Sequence, residues 1–169
     1  MSLTASVLGR LAIEFRFTAI MKRPRKEVFA FFRDVDQHAG QKGTRVPIYD
    51  KTTTGPVGVG TRYREVVQVL PLVRGEMLSE VTCYEEGKRL EYRFSGLGME
   101  GELAYTFEPF DGGTGVVQEQ SLHARGVLRP FGWLIGKMFA AVAGNRLEII
   151  KAMLEQGAGE ACFGSRTVH

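Results

Sequence analysis

Four polar side chains fall where the alternation of the chain predicts an interior. Over Thr61 to Val69, the residues Tyr63, Glu65, Val67 and Val69 make the more apolar row, with Arg62, Arg64 and Gln68 opposite, so Glu65 is predicted to point inward. Over Thr114 to Ala124, Val116, Gln118, Gln120, Leu122 and Ala124 share a face against Glu119, Ser121 and His123, which carries two glutamines to one side. Arg146 falls inside the apolar arc of a C-terminal helix, close in angle to Phe139 and Met153. A carboxylate and a guanidinium cannot be buried singly, because an unpaired buried charge is strongly unfavourable or shifts its pKa. Glu65, Gln118, Gln120 and Arg146 are therefore expected to form a polar patch in an apolar interior, able to orient a carbonyl, hydroxyl or carboxylate of a ligand. The alternative leaves Arg146 stretched to the surface along its stem and Glu65 solvated at a rim. A bulge in either strand would exchange inside and outside.

Aromatic residues extend the candidate set. Tyr92, Phe94, Tyr105 and Phe107 fall on alternating strand positions and read either as a cavity wall or as plain core. Phe131 and Trp133, just after Arg129-Pro130, read as a lid or interfacial contact at a cavity mouth, or as a buried helix start. The candidate ligand-binding residues are thus Tyr63, Glu65, Tyr92, Tyr105, Gln118, Gln120, Trp133, Phe139 and Arg146. No catalytic residue is assigned, since the chain has no HExxH, paired CxxC, GxSxG or GxxxxGK[ST]. Gly55, Gly58 and Gly60 do not match GxGxxG and precede a strand rather than a helix, so they read as a hairpin turn. His38, His123 and His169 show no metal-ligand spacing, and neither metal nor cofactor is expected. Cys83 and Cys162 match no metal or redox spacing and read as free thiols in a reducing cytoplasm.

These residues need elements to position them. Leu11 to Ala19 alternates with period two, as a half-buried strand does. Pro24 suits the first turn of a helix, Glu27 adds favourable charge there, and Val28, Phe29 and Phe32 form its apolar stripe up to Asp34. A second short helix is predicted over Val35 to Gly40 and a loop from Gln41 to Val46. Strands follow at Val46 to Thr53, Thr61 to Val69, Gly75 to Glu85, Leu90 to Ser95, Glu102 to Pro109 and Thr114 to Ala124. Turns such as Glu86-Gly87-Lys88 and Asp111-Gly112-Gly113 are too short for parallel crossovers, so neighbouring strands are antiparallel.

A long helix is predicted from Pro130 to Gln156, with Ala158 to His169 as a frayed tail. At 100° per residue, Trp133, Gly136, Ala140, Ala143, Leu147, Ile150 and Leu154 share one face. Ile135, Phe139, Val142, Ile149 and Met153 adjoin it, and Lys137, Asn145, Glu148 and Glu155 lie opposite. The small residues of its N-terminal half either let a sheet approach closely or leave space unfilled. One long helix after a strand-rich segment must lie across the sheet to bury its apolar face, and that encloses volume.

The chain has 169 residues, 44% of them apolar and 24% charged, enough for one core without disulfides or metal. The expected organisation is a single domain over 1–156 with a flexible tail over 157–169. Net charge is +3, without a basic stripe interleaved with aromatics, which sets nucleic acid aside. The run Lys22-Arg23-Pro24-Arg25-Lys26 reads as a solvated turn before a helix. The N-terminus lacks a charged-then-apolar signal region, and Phe131 to Gly144 is too short to span a bilayer.

The chain resembles the START-like helix-grip (SRPBCC) superfamily, especially its polyketide cyclase/dehydrase and lipid-transport branch. The matching pieces are the first strand followed by Pro24-Arg25-Lys26-Glu27-Val28-Phe29, then Asp34, then Gly58-Val59-Gly60-Thr61-Arg62-Tyr63-Arg64. Further on come Glu80 to Tyr84, Tyr105-Thr106-Phe107-Glu108-Pro109, Gly113-Thr114, and Leu147 to Glu155. The resemblance covers Leu11 to Gln156, and its motifs specify fold better than activity. It implies an α+β helix-grip architecture, a curved antiparallel sheet of about seven strands wrapped around the C-terminal helix, with two short helices after the first strand. It also implies a cavity for lipids, polyketides or other apolar molecules. Family members often carry a tryptophan after the second helix, where this chain has Gln41 to Arg45. The expected function is binding of a hydrophobic or amphipathic small molecule between sheet and helix. The alternatives are a cyclase- or dehydratase-like enzyme with Glu65 as acid or base, and a lipid carrier making transient membrane contact through Arg129 to Phe139. Oligomeric state is left open.

Overall fold

Short turns join most of the successive strands, and each pair so joined lies side by side in one antiparallel sheet. The computed structural model describes residues 2–6, 13–34, 48–70 and 73–163. Its strands are β1 (Ser2–Ser6), β2 (Ile13–Met21), β3 (Ile48–Lys51), β4 (Arg62–Leu70), β5 (Val73–Glu85), β6 (Arg89–Gly96), β7 (Met99–Phe110) and β8 (Gly113–Ala124). They form one sheet in the order β1-β2-β8-β7-β6-β5-β4-β3, antiparallel throughout. β2 and β8, far apart in sequence, lie side by side because the chain returns after β7 to close on its first long strand. Helix α1 (Arg25–Arg33) follows β2, and α2 (Gly132–Phe163) closes the described chain.

The seven expected strands are all present, and β1 adds an eighth at the edge, paired with β2 from Ser2 to Ser6. Its sequence, Ser-Leu-Thr-Ala-Ser, is short and carries one large apolar residue, so periodicity gives it no signal. The predicted second helix over Val35 to Gly40, the loop to Val46, His38 and His169 lie outside the described residues.

Helix α1 buries Val28, Phe29 and Phe32, the stripe its sequence marks. It has no side-chain cap; its end is held by the Asp34 N–H donating to the Ala30 carbonyl at 2.9 Å. Phe32 meets Tyr105 edge-on at 4.8 Å, and Phe29 meets Phe107 at 5.3 Å, so α1 plugs one end of the concave sheet with aromatic contacts. A register shift between Val81 and Cys83 rotates the end of β5. It leaves Val81 buried and turns Tyr84 toward Phe29, 5.7 Å away. Thr114, fully buried, donates its hydroxyl to the Arg23 carbonyl at 2.8 Å and ties β8 to the entry of α1.

The long helix begins at Gly132 rather than Pro130, after a short 3-10 segment, Gly126–Phe131, that contains the proline. It continues through Phe163, beyond the expected Gln156. Its buried residues are Gly136, Ala143, Gly144, Leu147, Ile150 and Leu154. Trp133, placed on the apolar face by angle, lies in the first turn of the helix and is 63% exposed. At Gly136 the ambiguity of the small residues is decided in favour of close approach: a Cβ there would press into Ile13, with Cγ2 only 2.9 Å away.

Candidate functional site

The inward faces of the strands from β3 to β8 carry polar groups, and Arg146 stands at the middle of α2. Cross-strand register sets Tyr49 beside Glu65 and Glu65 beside Met77. It sets Tyr105 beside Gln118 and Gln118 beside Phe17, while Gln120 lies between Leu103 and Phe15. Tyr49, Tyr63, Tyr92 and Tyr105 are all buried and follow one another across the concave surface, with ring centroids 5.1, 6.3 and 6.5 Å apart in that order. The irregularity in β4 falls between Gln68 and Leu70, past Glu65, and β8 pairs without a shift on both sides, so no bulge separates Tyr63 from Glu65 or Gln118 from Gln120.

Arg146 descends from α2 onto this surface. Its guanidinium lies 3.9 Å from the Glu65 carboxylate and 5.9 Å from the centroid of the Tyr49 ring. At 3.9 Å the contact with Glu65 is an ion pair rather than a hydrogen bond. Arg146 keeps 31% of its side-chain surface accessible and Glu65 16%, although both sit deep among protein atoms.

That depth shapes the electrostatics. Burial pushes the Glu65 carboxyl above its ordinary range, and Arg146 offsets this only in part. For Arg146, burial works against the charge, while Glu65 and the surrounding phenols favour it by more, so the guanidinium is held more firmly protonated than usual. Burial also raises the phenols of Tyr49, Tyr92 and Tyr105; Glu65 raises Tyr49 further and Arg146 lowers it. The patch is one fixed cation, one carboxyl whose ionisation burial disfavours and Arg146 favours, and a row of phenols that burial keeps neutral.

Of the residues singled out from sequence, Tyr63, Glu65, Tyr92, Tyr105, Gln118 and Arg146 converge on this surface. Gln120 is half-buried on the same row, and Phe139 is half-buried against the core. Trp133 does not join them. Sequence reasoning misses two residues. Tyr49 sits in β3, where four residues are too few for alternation to show which side faces in. Ser79, paired with Tyr63 and Phe94 across the sheet, is buried with its hydroxyl making no hydrogen bond among the described residues. Its row in β5, Met77-Ser79-Val81, was the available signal. Among the described residues no group of three His, Cys, Asp or Glu is arranged to hold a metal ion.

Comparison with known proteins gives the context. The profile of the family described as polyketide cyclase / dehydrase and lipid transport matches residues 12–155. A sequence comparison with curated proteins returns no match. Among solved structures, Ara h 8.0201 is similar at 16% identity and a TM-score of 0.67, covering 86% of this chain and 99% of its own. A Thermus thermophilus protein, TTHA0849, is similar at 19% identity and a TM-score of 0.68, covering 85% and 98%. The di-domain ARO/CYC StfQ from the steffimycin biosynthetic pathway reaches a TM-score of 0.74 at 12% identity, covering 89% of this chain and 53% of its own. At these identities the likeness is one of fold.

Proposed function

This chain belongs to the polyketide cyclase / dehydrase and lipid transport family, and we propose that it binds a hydrophobic or amphipathic small molecule between the concave sheet and α2, within one domain over 1–156. The observation that carries this reading is Arg146. Its guanidinium is enclosed by protein yet keeps 31% of its side-chain surface accessible, which supports a polar end to an interior space. In this reading the space lies beside Tyr49, Tyr63, Tyr92 and Tyr105 and the buried stripe of the helix. An apolar ligand entering it gains roughly 25 cal/mol per Å² of apolar surface removed from water. Arg146 and Glu65 then orient one polar end, with Arg146 donating to an oxygen of the ligand and Glu65 accepting from or donating to a hydroxyl according to its protonation.

Titration with 8-anilinonaphthalene-1-sulfonate, an amphipathic anion, tests this. The wild type is expected to enhance its fluorescence saturably, and Arg146→Met to weaken binding while the fold is retained by circular dichroism. Equal binding by both proteins would remove Arg146 from the site.

A second reading has one observation in its favour. A carboxyl held above its usual range beside a guanidinium is suited to move a proton in a cyclisation or dehydration of a polyketide-like substrate. Under that reading Glu65→Gln abolishes turnover of such a substrate without abolishing its binding.

A further inference from the structure

The 3-10 segment before α2 is firmly seated, yet it carries apolar side chains outward. The Arg125 N–H donates to the Gly98 carbonyl at 2.7 Å, and Arg125 forms an ion pair with Glu100. Leu128 packs over the turn between β6 and β7 so closely that a Cβ on Gly98 would come 2.8 Å from its Cδ1. From this anchored base Val127, Phe131, Trp133 and Leu134 project, exposed by 87, 57, 63 and 46%. The other exposed large apolar residues, Ile20, Val59, Leu78 and Phe110, lie on separate elements. Nothing in the packing of the described chain requires the cluster at 127–134.

Charge accompanies the cluster. No Asp or Glu occurs between Gln120 and Leu147, while Arg125, Arg129, Lys137 and Arg146 do. Arg146 is committed to the interior and Arg125 to Glu100. Arg129 is exposed beside Phe131, and the Lys137 ammonium lies 5.2 Å from the Trp133 ring centroid. The surface is thus apolar and aromatic with a cationic border.

We propose that this surface docks on an anionic lipid bilayer. The apolar tips enter the interfacial region, where the amphipathic ring of Trp133 is suited to lie, and Arg129 and Lys137 meet negatively charged headgroups. No helix among the described residues is long and apolar enough to cross a membrane, so the contact is peripheral. A second copy of the chain is the less suitable occupant, since a two-fold contact would bring two cationic borders into one interface. The proposal stands apart from the interior site and does not depend on what that site binds.

Trp133 is the only tryptophan of the chain, so its emission reports on this surface directly. The experiment is fluorescence and co-sedimentation with phosphatidylcholine vesicles, with and without phosphatidylserine. A blue shift and sedimentation are expected with the anionic vesicles, weakened by salt. Arg129→Glu/Lys137→Glu should weaken partitioning about tenfold or more, from about 1 kcal/mol per basic residue near an anionic surface, and Val127→Glu/Phe131→Glu should weaken it by removing two apolar tips. All four positions are exposed, so thermal melts should stay unchanged. Absence of vesicle binding, or equal binding by the variants, would overturn the proposal. So would a blue shift without vesicles that rises with protein concentration as the mass doubles, which would assign the surface to self-association.

Discussion

Replacing Arg146 with methionine should cost more stability as pH rises. Methionine keeps the apolar stem of the side chain and drops the guanidinium, so the main perturbation is the loss of the cation 3.9 Å from Glu65. At low pH Glu65 is protonated in both the folded and unfolded chain. There the wild type holds a buried guanidinium beside a neutral carboxyl, and an apolar replacement is neutral or stabilising. As pH rises, the unfolded chain ionises first, because burial holds the folded Glu65 above its ordinary range. Fewer protons on the unfolded state than on the native state mean that stability falls with rising pH. Without Arg146 the folded carboxyl moves higher still, so the window of falling stability starts at the ordinary carboxylate range and extends further upward. Stranding one partner of a buried pair costs about 3–5 kcal/mol. The remaining accessibility of Glu65 argues for the lower figure, and protonation of the carboxyl caps it. A loss of about 3 kcal/mol at pH 8 corresponds to a fall in Tm of roughly 6–12 °C for a domain of this size. Thermal melts from pH 4.5 to 8.5 would show the two curves meeting at the acid end and diverging upward. Parallel curves would refute the coupling between Arg146 and Glu65.

Other expectations follow from the packing. Glu65→Leu combined with Arg146→Met should recover most of the stability lost in Arg146→Met alone at pH 8, since two apolar side chains replace an ion pair; urea melts decide this. Gly136→Val should destabilise by about 1–3 kcal/mol by driving a side chain into Ile13, and Ile13→Ala in the same chain should recover part of it; thermal melts of both would check this. Thr114→Val should cost about 1–2 kcal/mol, because it removes the buried hydroxyl that donates to Arg23; denaturant midpoints measure it. In alkaline spectrophotometric titration, Tyr49, Tyr92 and Tyr105 should stay protonated until the protein unfolds, their phenols being raised by burial.

The residues that reveal themselves in sequence are those whose position is fixed by a long regular element. Glu65, Gln118 and Arg146 sit within a strand, a strand and a helix, where period alone sets the face; the structure pairs Arg146 with Glu65, while Gln118 lies beside Tyr105 and Phe17. Tyr49 escapes because β3 is too short to show a period. The orientation of Tyr84 depends on the register shift after Val81, and a bulge inserts one residue without a composition of its own. Angle alone puts Trp133 on the buried face, and angle does not report where the sheet beneath a helix ends. The role of Gly136 needs the structure as well, since a glycine opposite a void and one opposite an isoleucine look alike in sequence. Fold follows from periodicity and resemblance together, whereas the identity of a ligand is set by distances between side chains from different strands.

The central claim is that the space between sheet and α2 holds a small apolar or amphipathic molecule. Native mass spectrometry of gently purified protein, followed by organic extraction of whatever is bound, tests it most directly. The account predicts a one-to-one adduct of a hydrophobic or amphipathic compound on the wild type, depleted in Arg146→Met. A protein whose mass is that of the chain alone, and which also fails to bind 8-anilinonaphthalene-1-sulfonate, would contradict it.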